Sequence, residues 1–179
     1  HVMQIYNQTK SYLKNPQPVS DNLLYGEFHE NSKHTTRMPY MKPVYDVLEK
    51  NRGKVIYFDF WARWCPPCLA EMEPLKQLRS KFSTDDLIIY SICVSEPKEQ
   101  WEECLNEYSL KNRGIECIYA SDYFGKDNLQ KIRKQWKIDR MPYYLLLNRK
   151  GQIVDFGTTA RPSNPQFISR IEEAVKDSE

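Results

Sequence analysis

Cys65 and Cys68, two residues apart in the segment Trp64-Cys65-Pro66-Pro67-Cys68, are the residues of this chain best equipped for chemistry. Cysteines at this spacing can bridge the first turn of a helix as a disulfide when the first of them stands just ahead of the helix. Proline is tolerated in that first turn, whose N–H groups have no intrahelical acceptor. Those N–H groups and the positive helix end stabilise a thiolate at Cys65, lowering a free-cysteine pKa of about 8.5 toward neutrality. The thiolate attacks one sulfur of a partner's disulfide. Cys68, one turn further in and more buried, then resolves the mixed disulfide by attacking Cys65.

A lone pair at this spacing is equally half of a zinc site or a simple staple. Zinc asks for about four ligands, yet there is no second such pair, and His1, His29 and His34 all lie in or near an N-terminal extension. Covalent haem attachment would need histidine where Leu69 stands, and a copper site would want a histidine downstream, where none occurs. Redox chemistry of the dithiol itself remains, with no metal and no further cofactor.

The elements that must position this pair are legible from periodicity. Met41, Val44, Tyr45 and Leu48 fall at helical spacing, and Asn51-Arg52-Gly53 supplies a stop. Val55 to Trp61 follows as a near-continuous apolar run interrupted by Asp59, the pattern of a strand covered on both faces. Leu69, Met72, Leu75, Leu78 and Phe82 then mark a helix that starts at the prolines between the cysteines. Leu87 to Val94 is a second buried strand, and Trp101, Cys104, Leu105 and Tyr108 line the helix after it. A short strand from Ile115 to Tyr119 leads to a helical stretch holding Leu129, Ile132 and Trp136. The strands Tyr143 to Leu147 and Gln152 to Phe156 form a hairpin across Asn148-Arg149-Lys150-Gly151, and Phe167, Ile168, Ile171, Ala174 and Val175 face a last helix. The order βαβαβαββα predicts a three-layer α/β/α domain with a mixed central sheet over residues 39–179. Residues 1–38 carry Pro16, Pro18, Ser20 and Asn22 and only a faint helical period in Ile5, Thr9 and Tyr12, and read as an extension or linker.

Composition narrows the class. Charged residues make up 28% with both signs mixed and a formal net charge of +2, and no basic block interleaved with aromatics marks a nucleic-acid binder. No apolar run approaches the roughly 18 residues of a membrane span. The start His1-Val2-Met3-Gln4 has neither a basic nor an apolar leader region, and a chain beginning with His suggests a targeting segment trimmed away.

The segment FDFWARWCPPCLAEM resembles the active-site strand and helix of the thioredoxin superfamily, in particular its bacterial extracytoplasmic TlpA/ResA-type branch. The resemblance covers about residues 41–179. Trp61-Ala62 and Trp64 precede the cysteines in the family manner, and Arg140-Met141-Pro142 stands before the penultimate strand, where the family has a cis-proline. The resemblance implies a substrate platform made of Met141 and Pro142, with Trp64 and Pro66 beside the cysteines. Asp59 resembles the family's buried acid: burial should raise its pKa and suit it to take the proton of Cys68. Glu71 matches a glutamate near the cysteine pair in ResA-like proteins, so the two acids would share this task. A half-exposed strand position for Asp59 and a solvated helix face for Glu71 are the alternatives. Arg63 adds positive charge next to the nucleophile, or is merely an exposed loop residue. Arg161-Pro162-Ser163 resembles members from the Bacteroidetes group, whose domains often follow another domain. The family usually has proline eight residues after the first cysteine; here Glu73 stands there and Pro74 follows, so the helix break should be displaced.

Cys93 and Cys104 read as small core residues and Cys117 as part of a short strand, all three reduced and shielded. A bridge between Cys104 and Cys117 is the alternative. The implied activity is thiol-disulfide exchange with cysteine-containing protein substrates, as a periplasmic or extracytoplasmic reductant fed by an upstream thiol-disulfide donor, either secreted or anchored to the membrane by a segment outside the chain. Two other classes compete: a thioredoxin-like binding module without turnover, and an AhpC/TSA-type peroxidase. The first would be expected to lose a cysteine or the acid, and the second has one cysteine in the active-site turn.

Overall fold

In the computed structural model of the protein, which describes residues 17–18, 39–95, 97–136 and 138–177, a central sheet carries helices on both faces. The elements in chain order are β1 (Gln17–Pro18), a short 3₁₀ turn (Pro39–Met41), α1 (Lys42–Lys50), β2 (Val55–Trp61), α2 (Pro66–Ala70), α3 (Met72–Lys81), β3 (Leu87–Cys93), α4 (Lys98–Glu107), β4 (Ile115–Tyr119), α5 (Ala120–Phe124), α6 (Lys126–Gln135), β5 (Tyr143–Leu147), β6 (Gln152–Gly157) and α7 (Pro165–Lys176). Strand order is β1-β6-β5-β2-β3-β4. The neighbours β2, β3 and β4 are parallel, while β5, β6 and β1 are added antiparallel. The expected three-layer α/β fold with a mixed sheet is therefore present.

Alternation along β2 assigns its side chains to the two faces. Ile56, Phe58 and Phe60 pack with Val44 and Val47 of α1, Phe124 of α5, Leu129 and Ile132 of α6, and Trp136 just beyond it. Val55, Tyr57 and Trp61 pack on the opposite side with Leu75 and Leu78 of α3, Cys104 and Leu105 of α4, and Phe167 and Ile171 of α7. Because side chains alternate with period two, Asp59 belongs to the second face, the one covered by α2 and α3. Every residue of β2 is buried, as the near-continuous apolar run requires of a strand between two others.

Of three further features the first two were not anticipated, and the third is the displaced helix break that Pro74 predicts. Gln17–Pro18 adds a strand to the edge of β6, pairing Gln17 with Ile153 and Pro18 with Gln152. Proline donates no N–H to a ladder and is accommodated on an edge. A separate helix, α5, precedes α6, the two being divided at Gly125, whose φ of 83° is open to glycine at little cost. The helix after the cysteines is divided as well: α2 ends at Ala70, and Glu71 is both its C-cap and the N-cap of α3. Pro74 accounts for the position of the break, because it lacks the N–H that would reach the Ala70 carbonyl and its ring crowds that oxygen. The faint period of Ile5, Thr9 and Tyr12 lies outside the described residues.

Candidate functional site

Cys65 sits at the end of the β2–α2 loop as N-cap of α2, in extended backbone, with Pro66 as the first helical residue. Cys65 and Cys68 are joined as a disulfide with Cα atoms 5.3 Å apart. The backbone N–H of Cys68 donates to the Cys65 sulfur at 3.3 Å. As α2 has only five residues, the macrodipole expected behind Cys65 is short, and this local N–H is the donor the structure supplies to a thiolate there. Both cysteines are nearly covered, at 4% and 2% exposure, whereas Trp64 beside them is 64% exposed and Pro66 is also at the surface.

The loop is pinned from below. The Trp61 indole N–H donates to Ser91 Oγ at 2.9 Å, the Arg63 N–H to Ser95 Oγ at 3.0 Å, and the Cys65 N–H to the Ala62 carbonyl at 3.1 Å. The Arg63 guanidinium turns toward α4, 3.3 Å from Glu107 and within electrostatic reach of Cys104. This contact with α4 was foreseen by neither sequence alternative.

Asp59 lies at mid-strand opposite Ser91 on β3 and Tyr144 on β5. It is 4% exposed. Burial, reinforced by the negative charge of Glu71, pushes its carboxyl pKa from 3.8 up to about 8. The half-exposed alternative is therefore wrong, and the expected rise is present with its expected cause. Glu71 is also buried and is not on a solvated face: its two oxygens accept from the N–H of Ser163 at 2.9 Å and from the Ser163 hydroxyl at 2.6 Å. Tyr57 and Tyr144 stack beside the two acids with ring centroids 5.8 Å apart, and burial, with Asp59 second, raises both phenols. The Tyr57 hydroxyl donates to the Ala160 carbonyl at 2.9 Å.

Met141–Pro142 is a cis peptide bond ahead of β5, Pro142 is buried, and Met141 packs against the apolar cluster that contains Cys65 and Cys68. Cys93, Cys104 and Cys117 are free thiols, as expected, with no bridge between Cys104 and Cys117. Burial raises all three pKa values, that of Cys117 to about 11, so they are protonated and poor nucleophiles at neutral pH. Residues that sequence reasoning gave no role are Tyr57, Tyr144 and Ser163. The two tyrosines were reachable, since one shares the face of Asp59 by alternation. Ser163 lies 92 residues from Glu71 and no local pattern links them.

The arrangement suits thiol-disulfide chemistry, and the comparisons with known proteins agree. The thiol-disulfide oxidoreductase ResA of Geobacillus thermodenitrificans is 32% identical over 126 residues, covering 69% of this chain and 67% of the relative. ResA of Halalkalibacterium halodurans is 24% identical over 134 residues, covering 72% and 66%. The chain spans about three fifths to two thirds of the length of the curated relatives it matches. Among solved structures, the thioredoxin domain of a thiol-disulfide oxidoreductase from Bacteroides vulgatus superposes with a TM-score of 0.58 over 72% of this chain and 84% of that one, at 21% identity, a likeness of fold. The family model for Redoxin matches residues 42–174, a span that takes in the cysteines, both acids and the cis-proline, and the chain accordingly belongs to the Redoxin family, on the TlpA/ResA-like side of the thioredoxin superfamily.

Proposed function

We propose that the protein is a thiol-disulfide oxidoreductase that reduces cysteine pairs of protein substrates through Cys65 and Cys68. The observation that carries this reading is a disulfide capping the start of α2 with a buried acid of raised pKa on the strand beneath it. In the reduced protein the Cys65 thiolate attacks one sulfur of the substrate's disulfide, and the other substrate sulfur leaves as a thiolate. The Cys68 thiol gives its proton to Asp59, and the resulting thiolate attacks Cys65. The Cys65–Cys68 disulfide closes, the second substrate sulfur leaves, and the substrate has gained two electrons. An ordinary carboxylate, with a pKa of about 3.9, is too weak a base by several units for a thiol of about 8.5. At about 8, Asp59 is matched to that thiol.

Trp64 and Pro66, exposed beside the cysteines, and the Met141–Pro142 segment supply the platform on which the substrate chain lies. Trp64 offers a large flat apolar surface next to a nearly covered cysteine, so it contacts the substrate before the sulfurs do. The dithiol is the redox centre and no other cofactor is assigned. An upstream thiol-disulfide donor reduces Cys65–Cys68 for the next cycle. The ResA-like relationship supports an extracytoplasmic, periplasmic setting. No helix among the described residues is long and apolar enough to cross a membrane. Residues 39–179 form the catalytic domain, and residues 1–38 an extension that reaches the edge of its sheet at Gln17–Pro18.

The test is the reduction potential of Cys65/Cys68 in a glutathione or dithiothreitol buffer, read by tryptophan fluorescence, with Cys68→Ser as control. A value near or below about −250 mV is expected of a reductant. One near about −120 mV would make the protein an oxidant, and absence of a reversible two-electron transition would overturn the exchange reading itself.

A further inference from the structure

The loop of residues 158–164, between β6 and α7, closes over the two acids and is tied down at several points. The Tyr57 hydroxyl holds the Ala160 carbonyl, the Arg161 side chain donates to the Thr158 carbonyl at 2.7 Å, and the Asn164 side chain donates to the Thr159 carbonyl at 2.9 Å. Ser163 is thereby fixed over the break between α2 and α3, where it donates to Glu71 twice, once to each carboxylate oxygen. A backbone N–H can only donate, so Oε2 of Glu71 must be an acceptor, and a hydroxyl on the second oxygen favours the ionised form.

We propose that Ser163 is a positioning residue: it holds the Glu71 carboxylate as a fixed negative charge facing Asp59, so that of the two acids Asp59 alone carries the exchangeable proton. This rests on the thiol-disulfide reading and divides a task that the sequence would have left shared between both carboxylates. Glu71 is the charged group that acts on Asp59. In the oxidised protein, where Cys65 and Cys68 do not titrate, the other titratable groups that act on Asp59 among the described residues are Tyr57 on its own strand, Tyr144 on β5, Cys93 on β3 and Cys117 on β4, all with burial-raised pKa values and neutral at pH 7. Arg161, from the loop itself, acts on Tyr144. The charge balance at Asp59 therefore depends on where Glu71 is held, and the hydrogen bonds that hold it come from Ser163. Loss of the hydroxyl frees one oxygen of Glu71 to turn toward water. That change weakens its repulsion of the Asp59 charge.

The test is a carboxyl carbon NMR titration of Asp59 in the whole chain, for the native protein, Ser163→Ala, Ser163→Thr and Glu71→Gln. The native midpoint is expected near 8. In Ser163→Ala it should move down by about half a unit to one unit, the fraction of a charged hydrogen bond transmitted through Glu71. Glu71→Gln should move it at least as far, and Ser163→Thr, which keeps the hydroxyl, should leave it within about 0.3 units of native. A thermal melt of each variant separates a shifted titration from a damaged fold. An Asp59 midpoint unchanged in Ser163→Ala, or a native midpoint in the ordinary carboxylate range, would overturn the proposal. The readout is a carboxyl resonance and not turnover, so a failure of the exchange reading would appear separately, as the missing dithiol transition.

Discussion

Replacing Asp59 by Asn tests the buried acid through stability, independently of any substrate. In the unfolded chain this carboxyl loses its proton near 3.8, whereas in the folded protein it holds the proton up to about 8. Between those values the folded state binds one more proton than the unfolded state, so raising the pH costs stability. The contribution is fully present below the unfolded pKa and is lost as the pH rises through the folded one. Each pH unit is worth about 1.36 kcal/mol, giving a ceiling of about 4 kcal/mol between about pH 5 and pH 8. Water admitted to a relaxed site lowers this, and about 2–4 kcal/mol is the expected range. Asn has nearly the same shape and does not titrate, so Asp59→Asn lacks this slope while sharing every other titration. Urea unfolding of the oxidised proteins, in which Cys65 and Cys68 do not titrate, should show the variant gaining on the native protein by about 1–2 M in midpoint between those two pH values, with m of about 2 kcal/mol/M. Midpoints that move in parallel would refute the raised pKa and, with it, the role of Asp59 as a base matched to a thiol.

Two further outcomes follow from other contacts. Asp155 on β6 is fully buried and paired with Arg170 of α7 at 2.5 Å, so Arg170→Ala strands a carboxylate. The loss should be about 2–4 kcal/mol at neutral pH in urea unfolding, less than for a fully buried pair because Arg170 is partly exposed. Burial raises the Asp155 pKa, so the loss should shrink as the pH falls and the carboxyl takes a proton; a pH-independent loss would contradict this. Trp64→Ala should leave stability within about 0.5 kcal/mol. It should raise KM for a protein disulfide by about tenfold, the size of one exposed aromatic anchor. An unchanged KM would remove Trp64 from the platform.

The sequence by itself determined most of the scaffold and the reacting atoms. Val55 to Trp61 and Ile115 to Tyr119 are strands with the expected ends, because short, largely apolar runs bounded by turn residues leave little freedom of length. The disulfide partners were legible from their spacing of three residues together with the lack of further zinc, haem or copper ligands nearby in the sequence. Asp59 was legible as a buried acid through the family resemblance, with a half-exposed strand position as the alternative that burial removes. What only the tertiary structure decided is what comes from far along the chain. Burial of Glu71 depends on Ser163, 92 residues away. Arg63 is directed to α4 by Glu107, 44 positions further on. The added edge strand at Gln17–Pro18 depends on β6 offering unpaired backbone groups. Periodicity records which face of an element is covered but not which distant side chain covers it, because hydrogen bonds and charge pairs between elements obey no repeat in the sequence. For this protein, that distinction separates the sulfurs, which local spacing brings together, from the electrostatic surroundings of Asp59, which exist only once the sheet, the broken helix and the last loop have closed on one another.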